Sequence, residues 1–118
     1  MTEQEYAECA RKFLADSDRE FEAGERQQAS EKLYGAANEA LTAVAVRRGW
    51  KHRTHRDMKN VSQRLAEEYD DPLLIGGFTA AEKFHKNFFH DEMEDFEIVV
   101  DRPYVHRFVH RVLELIEK

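Results

Sequence analysis

Apolar residues return every three or four positions through five stretches of this chain, and only two prolines and five glycines interrupt its 118 residues. That period lines side chains along one face of an α-helix, whereas a half-buried strand would alternate at every second residue. Thr2 and Glu5 have capping-box spacing, and Tyr6, Ala10, Phe13, Leu14 and Phe21 then follow a helical interval as far as Gly24. The spacing predicts a first helix over 3–23. A second, over 25–48, carries Ala29, Leu33, Ala36, Ala37, Ala40, Leu41 and Val44 before Gly49, and its alanines permit close approach of neighbours. Thr54 and Asp57 cap a third, with Met58, Val61 and Leu65 inward, which ends near Asp70-Asp71-Pro72. The fourth is expected over 72–90, with Gly76-Gly77 kinking it or delaying its start to Thr79. After the acidic stretch Asp91 to Glu97, Asp101 and Pro103 are expected to open the last helix, with Val105, Phe108, Val109, Val112 and Ile116 on one face.

The expected fold class is therefore all-α, an antiparallel helical bundle with about five helices in one domain spanning 1–118. A chain of this length suits one hydrophobic core. Its 42% apolar and 36% charged content suits helices with one buried and one wet face. No apolar run reaches the roughly 20 residues of a membrane helix, and Met1-Thr-Glu-Gln-Glu5 lacks the basic and apolar regions of a signal peptide. No membrane association and a cytoplasmic location are the resulting expectations. The single cysteine, Cys9, has no internal disulfide partner and fits a packing role. The hairpin around Gly24 superficially has the look of a tetratricopeptide unit, but no second copy follows at that repeat's period of about 34 residues.

Three segments resemble the PaREP1 family: Ala29-Ser-Glu-Lys-Leu-Tyr-Gly-Ala-Ala37, Ala45-Val-Arg-Arg-Gly-Trp50 followed by His55-Arg56, and Ala81-Glu-Lys-Phe-His-Lys-Asn-Phe-Phe89. The resemblance covers nearly the whole chain. It implies an HEPN-like bundle with a four-helix up-and-down core, commonly a homodimer, of a kind often found beside nucleotidyltransferases in toxin-antitoxin or defence systems. Many HEPN proteins are metal-independent ribonucleases that use an arginine, four to six intervening residues and a histidine. Arg47 with His52 and Arg48 with His55 fit that interval. At the later position where the motif ordinarily lies stand Lys83, His85, Asn87 and His90, with lysine in place of arginine.

Charge gives a clue independent of resemblance. Between Arg47 and Lys59 lie 6 of the chain's 18 Lys and Arg and one of its 24 acids, Asp57. A local charge of about +5 thus stands against about −11 elsewhere, on a chain of net −6. Arg47, Lys51, His52, Arg53, Arg56 and Lys59, joined by Asn87, form the expected nucleic-acid-binding set, since such a patch attracts a phosphate backbone despite overall acidity. The plainer reading is a helix end whose cations favour its negative dipole, followed by a solvated loop.

His55 falls in line with Met58, Ser62 and Leu65, and His85 with Phe78, Ala81 and Phe88, so both lean toward the apolar side. If the third and fourth helices are antiparallel, the two histidines meet near the basic end and offer a general base and a general acid, with Arg48, Arg53 or Arg56 stabilising phosphate charge. The competing reading makes them core histidines bonded to Asn38, Glu39 or backbone carbonyls. His106/His110 and His52/His55 share helical faces but lack a third ligand, so no metal and no cofactor are expected. Phe89 stands partly off the main stripe and Phe96 lies beyond the expected end of the fourth helix, and the two suit an isologous contact between copies. Trp50 suits closing the turn after the second helix or stacking a base. Together these give an RNA-binding or RNA-cleaving homodimer with His55, His85 and Arg48 catalytic; the alternative is a noncatalytic interaction module partnering a nucleotidyltransferase.

Overall fold

The computed structural model describes residues 1–116, and every regular element among them is helical: α1 (Glu3–Glu22), α2 (Arg26–Arg48), α3 (His55–Tyr69), α4 (Leu73–His90) and α5 (Asp95–Glu114). Both expected capping boxes form. Glu5 N–H donates to Thr2 Oγ1 at 3.2 Å and Thr2 N–H to Glu5 Oε1 at 2.9 Å. Asp57 N–H donates to Thr54 Oγ1 at 3.0 Å, while Asp57 Oδ2 accepts the Thr54 and Arg53 amides at 3.1 Å. These backbone donors hold both carboxyls below their ordinary pKa. α2 ends at Gly49, whose φ of 70° is a left-handed conformation that lets the chain leave the helix.

α2 is the central helix and touches all four others. Eleven of its residues are buried, most of them small: Ala29, Ala36, Ala37, Ala40, Ala43 and Ala45 let neighbouring backbones come close. α1 runs antiparallel to it, with Ser17 Oγ donating to the Ala29 carbonyl at one end and Arg47 pairing with Glu3 at the other. α4 also runs antiparallel to α2, and α5 antiparallel to α4. These four form the up-and-down core, filled by Leu33, Leu41, Phe78, Phe84, Val105, Phe108 and Val109.

α3 lies on the outside of this core, packed on α4 and α2. It is antiparallel to α4, as Ser62 bonding to the Leu74 carbonyl and His55 reaching Glu82 require. It therefore runs the same way as α2: Tyr34 meets His55 at one end, and Arg48 meets Glu68 at the other. Residues 50–54 are the crossover that carries the chain back along α2 to make this possible.

Two boundaries differ from expectation. α5 begins at Asp95, not Asp101, because Glu94 and Glu97 form a capping box and Ile98 anchors the first turn in the core. Pro103 thus lies inside the helix, where it withholds a hydrogen bond from the Val99 carbonyl. Gly76-Gly77 does not delay α4, which begins at Leu73 after Pro72 and runs through both glycines to His90. The pair instead seats α5: a Cβ at Gly77 would overlap Phe108, and one at Gly76 would come within 2.5 Å of Tyr104 Oη. No helix among the described residues is long and apolar enough to cross a membrane.

Candidate functional site

On α2, Glu31 and Tyr34 stand three residues apart and share a face; on α4, Glu82 and His85 do the same. Antiparallel packing lays these pairs against each other, and His55, the first residue of α3, closes the group. Tyr34 is its centre. The His85 ring stacks on the Tyr34 ring at 4.3 Å between centroids, and the His55 ring lies 6.4 Å away. Tyr34 Oη is 3.1 Å from His55 Nδ1, and His55 Nε2 is 2.7 Å from Glu82 Oε2. His85 Nδ1 is 2.8 Å from Glu31 Oε1. Phe78 forms the floor, stacked on Tyr34 at 6.2 Å, and Phe89 abuts His85 edge-on at 5.3 Å.

An ionised carboxylate can only accept, so the ring nitrogen bonded to it is the one that carries hydrogen. Ionised Glu31 accepts from His85 Nδ1–H, which leaves Nε2 of a neutral ring as a base. Ionised Glu82 accepts from His55 Nε2–H, so Nδ1 of the neutral ring takes the Tyr34 hydroxyl proton in a hydrogen bond. When His55 is protonated, Nδ1–H donates to Tyr34 Oη and frees the phenolic proton to point elsewhere. Burial, then the charges of Glu82 and Glu31, raise the Tyr34 pKa above its ordinary value, so the phenol keeps its proton at neutral pH. The His55 and His85 side chains remain 47% and 39% exposed and open to a ligand.

His55 and His85 both lie against Tyr34, and their hydrogen-bond partners are Glu31, Glu82 and Tyr34, not Asn38 or Glu39. Glu39 is a separate, half-buried carboxyl whose pKa is raised by desolvation. The spacings Glu31/Tyr34 and Glu82/His85 were present in the sequence; which helices face each other was not.

The basic window is dispersed along the crossover. Arg48 forks onto Glu68 at 2.9 and 2.8 Å and reaches Tyr69 Oη at 3.1 Å. The hydrogen bond lowers the Glu68 pKa and raises that of Arg48. Glu68 lies about 20 Å along α3 from His55 at 1.5 Å per residue. Arg48 is thus placed away from the histidines, because α3 runs alongside α2 and sets their opposite ends apart. Arg47, at the same end, pairs with Glu3 at 3.5 Å. Asn87 is fully buried: its amide donates to Ser30 Oγ at 3.0 Å and its carbonyl accepts the Met93 amide at 2.7 Å, so it secures the α4–α5 turn and does not face a ligand.

Lys51, Arg53, Arg56 and Lys59 are exposed along the crossover and the start of α3. Lys51, His52 and Arg53 share with Trp50 a cleft of about 620 Å³. His52 Nδ1 bonds the Trp50 carbonyl at 3.0 Å. The Trp50 amide donates to the Ala45 carbonyl at 2.8 Å, closing α2, while the Arg64 guanidinium lies 3.9 Å over its ring. Arg64 escaped the sequence reading because it falls beyond the basic window. His106 bonds Asp18 at 3.0 Å, and no group of three or more histidine, cysteine or carboxylate side chains among the described residues is arranged to hold a metal ion.

The fold and site define an all-α bundle with a partly exposed cluster of hydrogen-bonded histidine, tyrosine and glutamate side chains spanning three helices. The chain belongs to the Archaeal PaREP1/PaREP8 family, whose model matches residues 5–109 and so takes in every residue of that cluster. No curated protein and no solved structure matches it.

Proposed function

We propose that this is an HEPN-like RNA-binding protein that cleaves RNA without a metal, using His85 as general base and Tyr34 as general acid. The observation that carries the reading is the convergence of two carboxylate-held imidazoles on one phenol. Nε2 of His85 takes the proton of a ribose 2′-hydroxyl as its oxygen bonds to phosphorus. The bond from phosphorus to the 5′-oxygen breaks, and that oxygen takes the Tyr34 proton; His55, protonated at the start of the step and held by Glu82, replaces it from Nδ1–H and ends neutral, while His85 ends protonated. Glu31 and Glu82 repel phosphate, so affinity is assigned to Lys51, Arg53, Arg56 and Lys59 on the adjoining surface.

The test is cleavage of single-stranded RNA in the presence of chelator. Wild type should cleave with a bell-shaped pH profile, and His85→Ala and His55→Ala should each lower the rate by about two to four orders of magnitude while RNA still binds. Arg53→Ala with Arg56→Ala should weaken binding and flatten its salt dependence. Folded wild type that binds RNA but cleaves none would refute the catalytic assignment. Exposed Phe89, at 62%, and Phe96, at 70%, favour a second reading, a noncatalytic module partnering a nucleotidyltransferase in a toxin-antitoxin or defence system.

A further inference from the structure

Trp50 is the chain's single tryptophan, and it stands partly exposed where α2 gives way to the crossover. Two clefts, of about 620 and 300 Å³, meet at this residue and share Gly49, Lys51 and Asp57 with it. Sites that take a small organic ligand commonly measure about 300–1,000 Å³, so there is room here for a base and its phosphates.

The cations around Trp50 fall into two sets. Arg47 and Arg48 are engaged by Glu3 and Glu68. Lys51 and Arg53, which line the larger cleft, and Arg64, which lines the smaller, are exposed. None of these three side chains forms an ion pair or a hydrogen bond among the described residues. The one acid that lines both clefts, Asp57, already accepts the Thr54 and Arg53 amides through Oδ2. An entering anion therefore meets three cations with no fixed partner and one carboxylate held by backbone donors.

Arg64 gives the site its character. Its guanidinium lies 3.9 Å over the indole, and the residue is open to solvent. Indole and guanidinium planes are both surfaces on which an unpaired base stacks, whereas the bases of a duplex already cover one another. We infer that Trp50 and Arg64 form a subsite for one unpaired nucleotide of an RNA strand, with its base on that pair and its flanking phosphates on Lys51 and Arg53. Arg64 stands nine residues beyond His55 on α3, about 14 Å at 1.5 Å per residue. The subsite thus grips the strand away from the histidine cluster and not at it. The inference rests on the RNA-binding part of the proposed function and is independent of cleavage.

The lone tryptophan makes the test local, because its fluorescence reports this position and no other. The intact protein is titrated at low salt with a single-stranded RNA on the order of ten nucleotides long, and binding is followed in parallel by anisotropy of the labelled strand. Trp50 emission should be quenched in step with binding. The same sequence as a blunt duplex, UMP, and heparin, a polyanion without bases, should each leave the emission nearly unchanged at the concentration that saturates the strand. Arg64→Ala and Arg64→Lys should both weaken the strand about tenfold, since lysine restores the charge without the planar face. Position 64 is exposed, so both variants should keep the helical circular dichroism spectrum. RNA that binds without altering Trp50 emission, or that binds Arg64→Lys as tightly as wild type, overturns the stacking subsite and leaves RNA binding standing. Equal quenching by UMP, the duplex or heparin overturns its assignment to an unpaired strand. Absence of any RNA binding overturns the RNA-binding reading and the subsite with it.

Discussion

Tyr34 is a phenol held between two carboxylates, and alkaline pH should expose that position. Because burial and the charges of Glu82 and Glu31 raise its folded pKa, the folded state binds this proton more tightly than the unfolded chain does. The resulting stability is fully present below the unfolded tyrosine value of about 10 and is lost as pH rises through the folded value. The urea midpoint should therefore drop between pH 9 and pH 11, and Tyr34→Phe should flatten that drop; equal losses in both proteins would show that another group titrates. His55 and His85 could be picked out from register alone, since each follows an apolar line on its own helix. Tyr34 could not. It lies between Leu33 and the alanines of α2, and its polar role exists only because His55 arrives from a helix whose direction the sequence does not state. Asn87 was misread for the converse reason: an amide near two histidines looks like a ligand until the α4–α5 turn is seen folded around it.

The same contrast governs the helices themselves. Starts at Thr2 and Thr54 were legible because a side-chain oxygen and a carboxylate three residues on declare a cap locally. The start of α5 was not, since its cap is a glutamate within an acidic run and Pro103 mimics a first-turn proline. The two glycines of α4 differ in their tolerance for a side chain, although both looked like helix breakers. Gly77→Ala forces a methyl onto Phe108 at its root, which cannot swing aside, and should destabilise by about 1–3 kcal/mol. Gly76→Ala meets only the tip of Tyr104, and the gain of about 0.5–1 kcal/mol in helix propensity offsets much of the clash. Denaturant unfolding of the two variants should separate them by more than about 1 kcal/mol; equal stabilities would mean that α5 slides to make room.

Among the described residues, α1, α2, α4 and α5 form the packed core, while α3 leans on α2 and α4, with Arg111 of α5 lying over Tyr69 at its end. An element with so few neighbours opens at a lower free energy than the body it rests on. Amides of 58–65 should accordingly lose hydrogen-exchange protection before those of 36–45, with a denaturant dependence smaller than that of global unfolding because only the α3 face is exposed. Identical opening energies for both segments would make the bundle a single cooperative unit. His55 is the one member of the cluster carried by α3, so undocking this one helix would dismantle the Tyr34–His55–Glu82 hydrogen-bond chain and leave His85 with Glu31. Assembly of the site is then a conformational equilibrium within the folded protein, and whatever braces α3 acts as an effector without touching Tyr34.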